Sequence, residues 1–531
     1  MQKQAATYCA NPQNTMGGHE ILYPTLLAAL FTLLLYTWHQ SSRSRLIRPP
    51  TPTRLPLVGN LLSVPSGSEH AAYMKLGKQL KSDIVFLEMF GLNIIVLNSA
   101  QDATDLLEKR SARYSDRTCS RAVAHPDLLD WPNSVAFLPY NDLWRFQRRM
   151  LNALLSSKAV PNFHSLQEHQ ARSLLQRLLG LTEHPQPFEG MKQEIFYTMA
   201  TSMFKLAYGY DLQGKDDPFL REATLTLYHG FRAVMFANFY VNFIPALMYV
   251  PEWFPGADWK RTLREWRAQK VKALRAPYEW VKERVVDGTA QPSVLGAILQ
   301  DSDLYSGLSP DMRDDNLQQL GIMIHAGGTD TSATALLNFI AAMALYPTVQ
   351  EKAQLELDTV LGSRVLPTIS DRDRLPYISN LILELFRWRP VLPIAIPHVC
   401  YEDDLYRGYN FLKGDIVIGN IWAMSRDQSV YPNPEEFNPD RFLDPNVPPV
   451  PVFGWGRRKC PGLHFGDASV FIVLTSILSV YNISKRRDQT GREIHPEIKD
   501  AENSLTLELE PFDFKLEPRS DRHRQLVLEA I

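Results

Sequence analysis

Cysteine is scarce in this 531-residue chain: Cys9, Cys119, Cys400 and Cys460 are all there are, and they lie far apart. That spacing excludes a disulfide framework and suits a reducing compartment for the bulk of the protein. A basic excess is missing too. Lys and Arg total 56 against 58 Asp and Glu, a formal charge of −2. The chain therefore lacks the electrostatic footprint of a nucleic-acid binder, and any charge-driven docking must be local. No Gly/Ser linker, charge block or internal repeat divides the sequence, so one large folded unit is expected. With 45% apolar and 21% charged residues it can bury a large core.

Long apolar runs are rare as well, with one exception near the N-terminus. From Ile21 to Trp38 the sequence ILYPTLLAALFTLLLYTW carries no charge; as a helix it spans about 27 Å against a hydrocarbon core of about 30 Å. Lys3 is the sole Lys or Arg before it, whereas Arg43, Arg45, Arg48 and Arg54 follow. The positive-inside rule then puts the C-terminal bulk in the cytosol. A cleaved signal peptide fits less well, because the run is long, the charged flank lies on the wrong side and no small-x-small site follows. The expected organisation is a short lumenal tail (1–20), a transmembrane helix (21–38), a basic, proline-rich hinge (39–60) and one cytosolic domain (61–531). Pro49, Pro50, Pro52 and Pro56 stiffen the hinge.

The pattern beyond the hinge is mainly helical with a small β region. Asp83–Asn98 reads as two strands joined at Gly91, and a second hairpin is expected around Gly414 in LYRGYNFLKGDIVIGNIWAM. Helical periods run through LEKRSARY, WRFQRRMLNALL, LQEHQARSLLQRLLG and a long segment from Asp311 to Tyr346 that Pro347 closes; a last apolar helix covers Asp467–Val480. The aromatic, proline-broken stretch Phe236–Gly256 reads either as core or as a membrane-dipping entrance.

Chemistry concentrates at Phe453–Gly462, FGWGRRKCPG. A lone cysteine is by default a small buried hydrophobe. Here Gly454, Gly456 and Gly462 permit a tight loop, and Arg457, Arg458 and Lys459 make it electropositive, which favours thiolate. Zinc is a rival use: Cys460 and His464 have ligand spacing, and His398 with Cys400 would complete four, but the sixty-residue gap is foreign to ordinary zinc modules. Elsewhere Glu384 and Arg387 stand at i,i+3 in LILELFRWRP, Gly327 and Gly328 interrupt an apolar helical run ahead of Asp330 and Thr331, and Trp144 and Arg148 share a helix face. Taken alone, the double glycine also allows a helix break with Asp330 or Thr331 as a new N-cap.

The pattern Phe453-x-x-Gly456-x-Arg458-x-Cys460-x-Gly462 resembles the haem-binding loop of the cytochrome P450 family of haem-thiolate monooxygenases. The resemblance extends from about residue 54 to the helix after Cys460, and in style it is similar to microsomal fungal enzymes of secondary metabolism. It implies the cytochrome P450 fold, a single large haem domain. It also implies haem b with Cys460 as proximal axial ligand of the iron, in a loop formed by Phe453, Gly454 and Gly462. By the same resemblance Trp144, Arg148, His398 and Arg458 contact the haem propionates. A further basic contact common in the family has no obvious residue in AHPDLLDWPNSVAFLPY. Glu384, Arg387 and Arg441 of FNPDRF form a buried supporting triad, with Asp440 where glutamate is commoner. Asp330 and Thr331 organise proton delivery where the helix opens over the haem.

The function so implied is insertion of one oxygen atom of dioxygen into a lipophilic small molecule at the endoplasmic reticulum membrane. Terpenoid-derived metabolites are the first expectation, and aromatic or polyketide intermediates the second. No flavin or nicotinamide fingerprint occurs in the chain. Electrons from NADPH are therefore expected through cytochrome P450 reductase, with cytochrome b5 as a second candidate donor. Arg457, Lys459, Arg145 and Arg149 are the expected docking face. The alternatives are a haem-thiolate enzyme that rearranges a peroxide and a non-catalytic haem-binding sensor.

Overall fold

Residues 46–54 form a strap without regular secondary structure ahead of the first helix of the domain. This computed structural model describes residue 32 and residues 46–530 apart from 56–57, 65–67, 90, 236–237, 302–308 and 502–504. The expected tail and membrane helix lie, Thr32 apart, outside the described residues. The strap is tied to the sheet: Phe86 N–H donates to Pro50 O at 2.9 Å. Arg48 forms a two-pronged pair with Asp415 at 2.7 and 2.9 Å and caps the Phe86 ring at 4.3 Å. One of the arginines counted toward the hinge's positive charge is thus neutralised on the domain.

After helix α1 (Glu69–Leu80), strands β1 (Ile84–Met89) and β2 (Leu92–Leu97) form the expected hairpin, with Ile84 opposite Leu97 and Gly91 turning at φ +81°. The second hairpin differs from the expectation. Strands β3 (His398–Val399), β4 (Asp404–Tyr406), β5 (Tyr409–Phe411) and β6 (Ile416–Gly419) follow in sequence. β4 and β5 turn at Arg407–Gly408, whereas Gly414 leads into β6, which leaves to pair in parallel with β2. The β-branched side chains of β6 are completely buried there, which is why β6 joins the larger sheet, ordered β1-β2-β6-β3.

The helical body comprises α2 (Asp142–Leu155), α3 (His164–Leu178), α4 (Phe188–Tyr208), α5 (Pro218–Val234), α6 (Asp258–Val286) and α7 (Val294–Gln300). Then come α8 (Pro310–Leu345), α9 (Pro347–Val360), α10 (Pro376–Trp388), α11 (Leu463–Val480) and α12 (Asp521–Leu528). Local chemistry sets the ends: Asn141 caps α2 by accepting from Trp144 N–H at 2.9 Å, and Pro310 begins α8 behind Ser309. LEKRSARY is helical only at its start, where a turn of π-helix ends at Lys109. The strands β7 (Tyr481–Ser484) and β8 (Lys515–Pro518) close the fold.

α8 is the axis of the molecule. Beyond its charged first turns it is apolar on nearly every side, and it packs against α4, α6 and α11. One apolar core gathers around its second half from Ala333 to Ala344, and another around its first half from Leu317 to Ala326. Residues 327–332, GGTDTS, fall at the seam between the two. α11 is the one helix among the described residues long and apolar enough on its own to cross a membrane, but Ala468 to Val480 are all buried in the first core. By contrast Tyr249 and Trp253, in the proline-broken stretch, are 88% and 80% exposed, while Val241 is buried. Among its described residues that stretch is therefore core around Val241 and Asn242 and apolar surface at Tyr249 and Trp253.

Candidate active site

Cys460 ends the loop and α11 begins just behind it. The loop is closed by Cys460 N–H donating to Phe453 O at 2.9 Å, and Phe453 stands edge-on to Phe386 of α10 with centroids 5.6 Å apart. Gly456 needs to be glycine on two counts: its φ is +53°, and a Cβ would lie 2.5 Å from Leu107 O. Its N–H is held by Glu108 Oε2 at 2.5 Å.

The thiol lies at the amide-bearing end of α11, where the N–H groups of Gly462 and Leu463 and the Arg148 guanidinium pull its pKa down. Burial outweighs them and leaves it above its ordinary value. Cys460 is nonetheless an exposed residue. The expectation that Arg457, Arg458 and Lys459 favour thiolate is corrected here. Arg457 donates to Tyr140 OH at 2.7 Å, and Arg458 to Ser115 O and Leu138 O, both at 2.7 Å. The cation that acts on Cys460 is Arg148, whose Nη2 donates to Lys459 O.

Behind the loop the carboxylate triad is assembled as expected. Glu384 and Arg387 form two parallel bonds of 2.7 and 2.8 Å, and both side chains are fully buried. Arg441 Nε reaches Glu384 at 3.0 Å, and Asn438 N–H donates to it at 2.7 Å. Arg387 spends its remaining donors on Pro434, Glu436 and Ser425 carbonyls. A pair that would be worth about 0.2–0.5 kcal/mol on a wet helix has become a satisfied buried network. Removing one partner costs about 3–5 kcal/mol, because a charge is then stranded. Asp440 stays outside, paired with Lys352 at 2.6 Å.

On α8 no break occurs, so neither Asp330 nor Thr331 is an N-cap. The opening is finer: Thr331 Oγ1 donates to Gly327 O at 2.6 Å, drawing on a carbonyl of the helix ladder. The two glycines have separate reasons. A Cβ on Gly328 would sit 2.1 Å from Met203 Sδ of α4, whereas a Cβ on Gly327 would meet nothing within 4 Å. Gly328 admits the neighbouring helix and Gly327 opens to a cavity. That cavity, about 110 Å³, is bordered by Gly327, Thr331, Trp131, Phe231, Ile396 and Thr506 among others. Burial, reinforced by Glu508 and opposed by Lys192, raises the Asp330 pKa to about 7. A larger hollow of about 480 Å³ lies open on the outer face of α2, between Trp144, Arg145, Arg148 and Arg149. Three arginines line it, whereas the cavity beside Thr331 has no charged residue on its wall.

Residues 49–511 match the family model described as Cytochrome P450. The chain belongs to the cytochrome P450 family. The P450 monooxygenase 45 of Postia placenta is 34% identical, over 99% of this chain and 98% of that protein. Tryptamine 4-monooxygenase of Psilocybe cyanescens is 35% identical, over 90% of this chain and 94% of its own. A zebrafish cytochrome P450 solved with progesterone superposes with a TM-score of 0.71 at 22% identity, covering 86% of this chain and all of that one, and so shares the fold. The protein is thus a cytochrome P450 monooxygenase, a family whose cofactor is haem with a thiolate-ligated iron.

The buried cations of this P450 fit that cofactor. Burial pulls both Arg117 and Arg458 below the ordinary arginine range, Arg458 lowers Arg117 further while Asp116 opposes both shifts, and neither arginine forms a contact ion pair among the described residues. Arg117 Nε and Arg458 Nη1 are buried without a hydrogen-bond partner. Two orphaned guanidinium donors in a low-dielectric site call for an anion. His398 faces the same group, its pKa also depressed by burial and by both arginines, with Nδ1 against Tyr114 O at 2.6 Å. Trp144 lies under the Arg458 guanidinium at 4.3 Å. The sequence reading had no residue for a further basic contact; the fold places the buried Arg117 beside Arg458 and His398. It stands upstream of the searched stretch, in YSDRT, and its signal is an arginine that ends up 8% exposed with no contact ion pair among the described residues, although Asp116 is near enough to favour its charge.

Proposed function

We propose that this P450 inserts one oxygen atom of dioxygen into a lipophilic small molecule bound in the cavity beside Thr331, the other oxygen leaving as water. Terpenoid-derived metabolites are the first substrate class and aromatic or polyketide intermediates the second. In this reading Cys460 ligates the haem iron, and Arg117, Arg458, His398, Arg148 and Trp144 receive the two propionates. When bound, the haem supplies a thiolate-ligated iron at which dioxygen is activated. The rest is done by side chains. With Nδ1 of His398 committed to the Tyr114 carbonyl, a bond from Nε2 to a carboxylate requires the imidazolium, which a nearby dianion stabilises. Gly462 and Leu463 amides hold the sulfur's charge. Asp330, poised near neutrality, holds a proton at its carboxyl, and the Thr331 hydroxyl exchanges its bond to Gly327 O for one to an incoming water, passing that proton inward.

The single observation that carries the reading is an accessible thiol on amide donors, accompanied by two buried guanidinium donors that lack an acceptor. A separate NADPH-dependent reductase, with cytochrome b5 as a second donor, would dock over the exposed Arg149, Arg457 and Lys459, and its rate would fall as salt rises. The exposed aromatic tip at Tyr249 and Trp253 supports a body resting on the endoplasmic reticulum membrane behind the 21–38 anchor. Asp330 and Thr331 argue against peroxide rearrangement, which needs no delivered protons. The deciding experiment is coexpression with a reductase, fed with metabolite extracts and read by mass. A gain of one oxygen that depends on NADPH supports the reading; product formation without NADPH or reductase sinks it.

A further inference from the structure

The cavity's lining carries more information than its apolar character. Trp131, Phe137, Leu227, Phe231, Met323 and Ile396 supply most of it, and none of the described lining residues bears a charge. An ionised ligand there would lose its water and find no counter-charge. The polar groups on the wall are few, and their bonds differ. The Trp131 indole N–H is spent on Gln319 Oε1 at 2.7 Å, turning away from the cavity. Thr331 donates to its own helix, and Ser134 Oγ accepts from Ala136 N–H at 3.4 Å. Thr506 stands apart: it borders the cavity, it is buried, and its Oγ1 has no hydrogen-bond partner.

The backbone that presents Thr506 is well anchored. Leu507 N–H donates to Val391 O at 2.8 Å, and Glu508, one residue further, is paired with Lys192 of α4 at 3.1 Å. A hydroxyl left unpaired on so fixed a segment is a standing cost that a ligand can remove. Threonine has three staggered χ1 wells, so its Oγ1 can turn to a ligand without backbone movement.

We infer that the substrate of this P450 is an uncharged, largely apolar molecule bearing a hydroxyl or carbonyl oxygen, and that Thr506 selects it by hydrogen-bonding that oxygen. The inference rests on the monooxygenase reading above, and goes beyond it by naming the group recognised and the residue that recognises it. Discrimination of this kind is strong in principle, since a site built to bond a polar group leaves its own partner unpaired when that group is absent.

The test uses the full-length haem-loaded protein and its ferric Soret band. Three probes share one shape: tert-butylcyclohexane, 4-tert-butylcyclohexanol and cyclohexyltrimethylammonium, whose quaternary nitrogen cannot ligate iron. In Thr506→Val, an isosteric change, the alcohol's affinity is expected to fall about five- to tenfold while the hydrocarbon's stays within about twofold; Thr506→Ser restores the alcohol. The ammonium ion is expected to bind at least about a hundredfold more weakly than the hydrocarbon. Equal losses for alcohol and hydrocarbon in Thr506→Val would overturn the inference, as would an ammonium ion that binds like the hydrocarbon or silence from both neutral probes. The carbon monoxide spectrum of the same preparation separates the two levels: if its thiolate-type band is absent the haem-thiolate reading fails and takes this inference with it, whereas the binding results alone sink only the role of Thr506.

Discussion

The two ends of the site are built on opposite principles. On the loop side, the fully buried Glu384 and Arg387 and the partly buried Arg441 are bonded through Glu384 and to five backbone groups at 2.7 to 3.3 Å. On the cavity side the wall is apolar, and the segment that carries Trp131 is held from outside by α6. Lys270 and Arg267 of that helix donate to the Asp130 and Pro126 carbonyls, and Lys260 donates to Met248 O and Val250 O, both at 2.6 Å. A closed ionic network tolerates no missing member. Tethers from long side chains to backbone carbonyls do not read the identity of the residues they hold, although Arg267 also pairs with the Asp130 carboxylate at 3.1 Å. The chemistry is thereby fixed while the residues that face the substrate remain free to differ.

That contrast can be broken most directly at its centre. Cys460→Ala should abolish the thiolate-type carbon monoxide band; an intact band would undo the loop-side assignment altogether. Next in size is Glu384→Ala, expected to cost about 3–5 kcal/mol and to yield little haem-loaded protein. Lys270→Met, which removes one tether on the other side, should cost about 1–2 kcal/mol and leave the carbon monoxide band intact. Comparable losses from the two, measured by thermal melting, would erase the distinction. Arg117→Leu is expected to speed haem loss to apomyoglobin about tenfold, since a buried donor pair loses half its members; unchanged retention would remove Arg117 from the propionate site. Thr331→Ala should keep haem and fold while diverting several-fold more NADPH into hydrogen peroxide, and unaltered coupling to product would refute its role in proton delivery.

A pH dependence tests the cavity side independently. Asp330 has its pKa raised from 3.8 to about 7 in the fold, so between those values the folded protein holds a proton that the unfolded chain has released. Its contribution to stability is therefore fully present below pH 4 and is lost as pH rises toward 7, by up to about 1.4 kcal/mol per unit. Asp330→Asn should melt with a flatter pH profile across that window and match the wild type's slope above it. Identical slopes throughout would mean that burial does not hold the proton.

Much of this was legible in the chain. The loop motif, the Glu384–Arg387 spacing, the hairpin at Gly91 and the long helix ended by Pro347 are local patterns, and local geometry follows from them. The turn assigned to Gly414 was misplaced because a glycine marks a bend without saying which sheet the next strand joins; burial of Ile416, Val417 and Ile418 against β2 decided that. Arg117 was missed for a related reason. In sequence it is one of many arginines, and only the fold removes its water and brings Arg458 and His398 beside it.

By itself the sequence determined the reaction class, because a cysteine in a glycine-shaped loop and an acid and alcohol within a helix are short-range arrangements of covalent neighbours. Tertiary structure alone decided which cations lose their solvent, which of the two glycines admits α4 and which opens the cavity, and that Thr506, 175 residues beyond Thr331, shares a wall with it. Those are matters of burial and long-range contact. They depend on what packs against a residue, which no neighbour in the chain encodes.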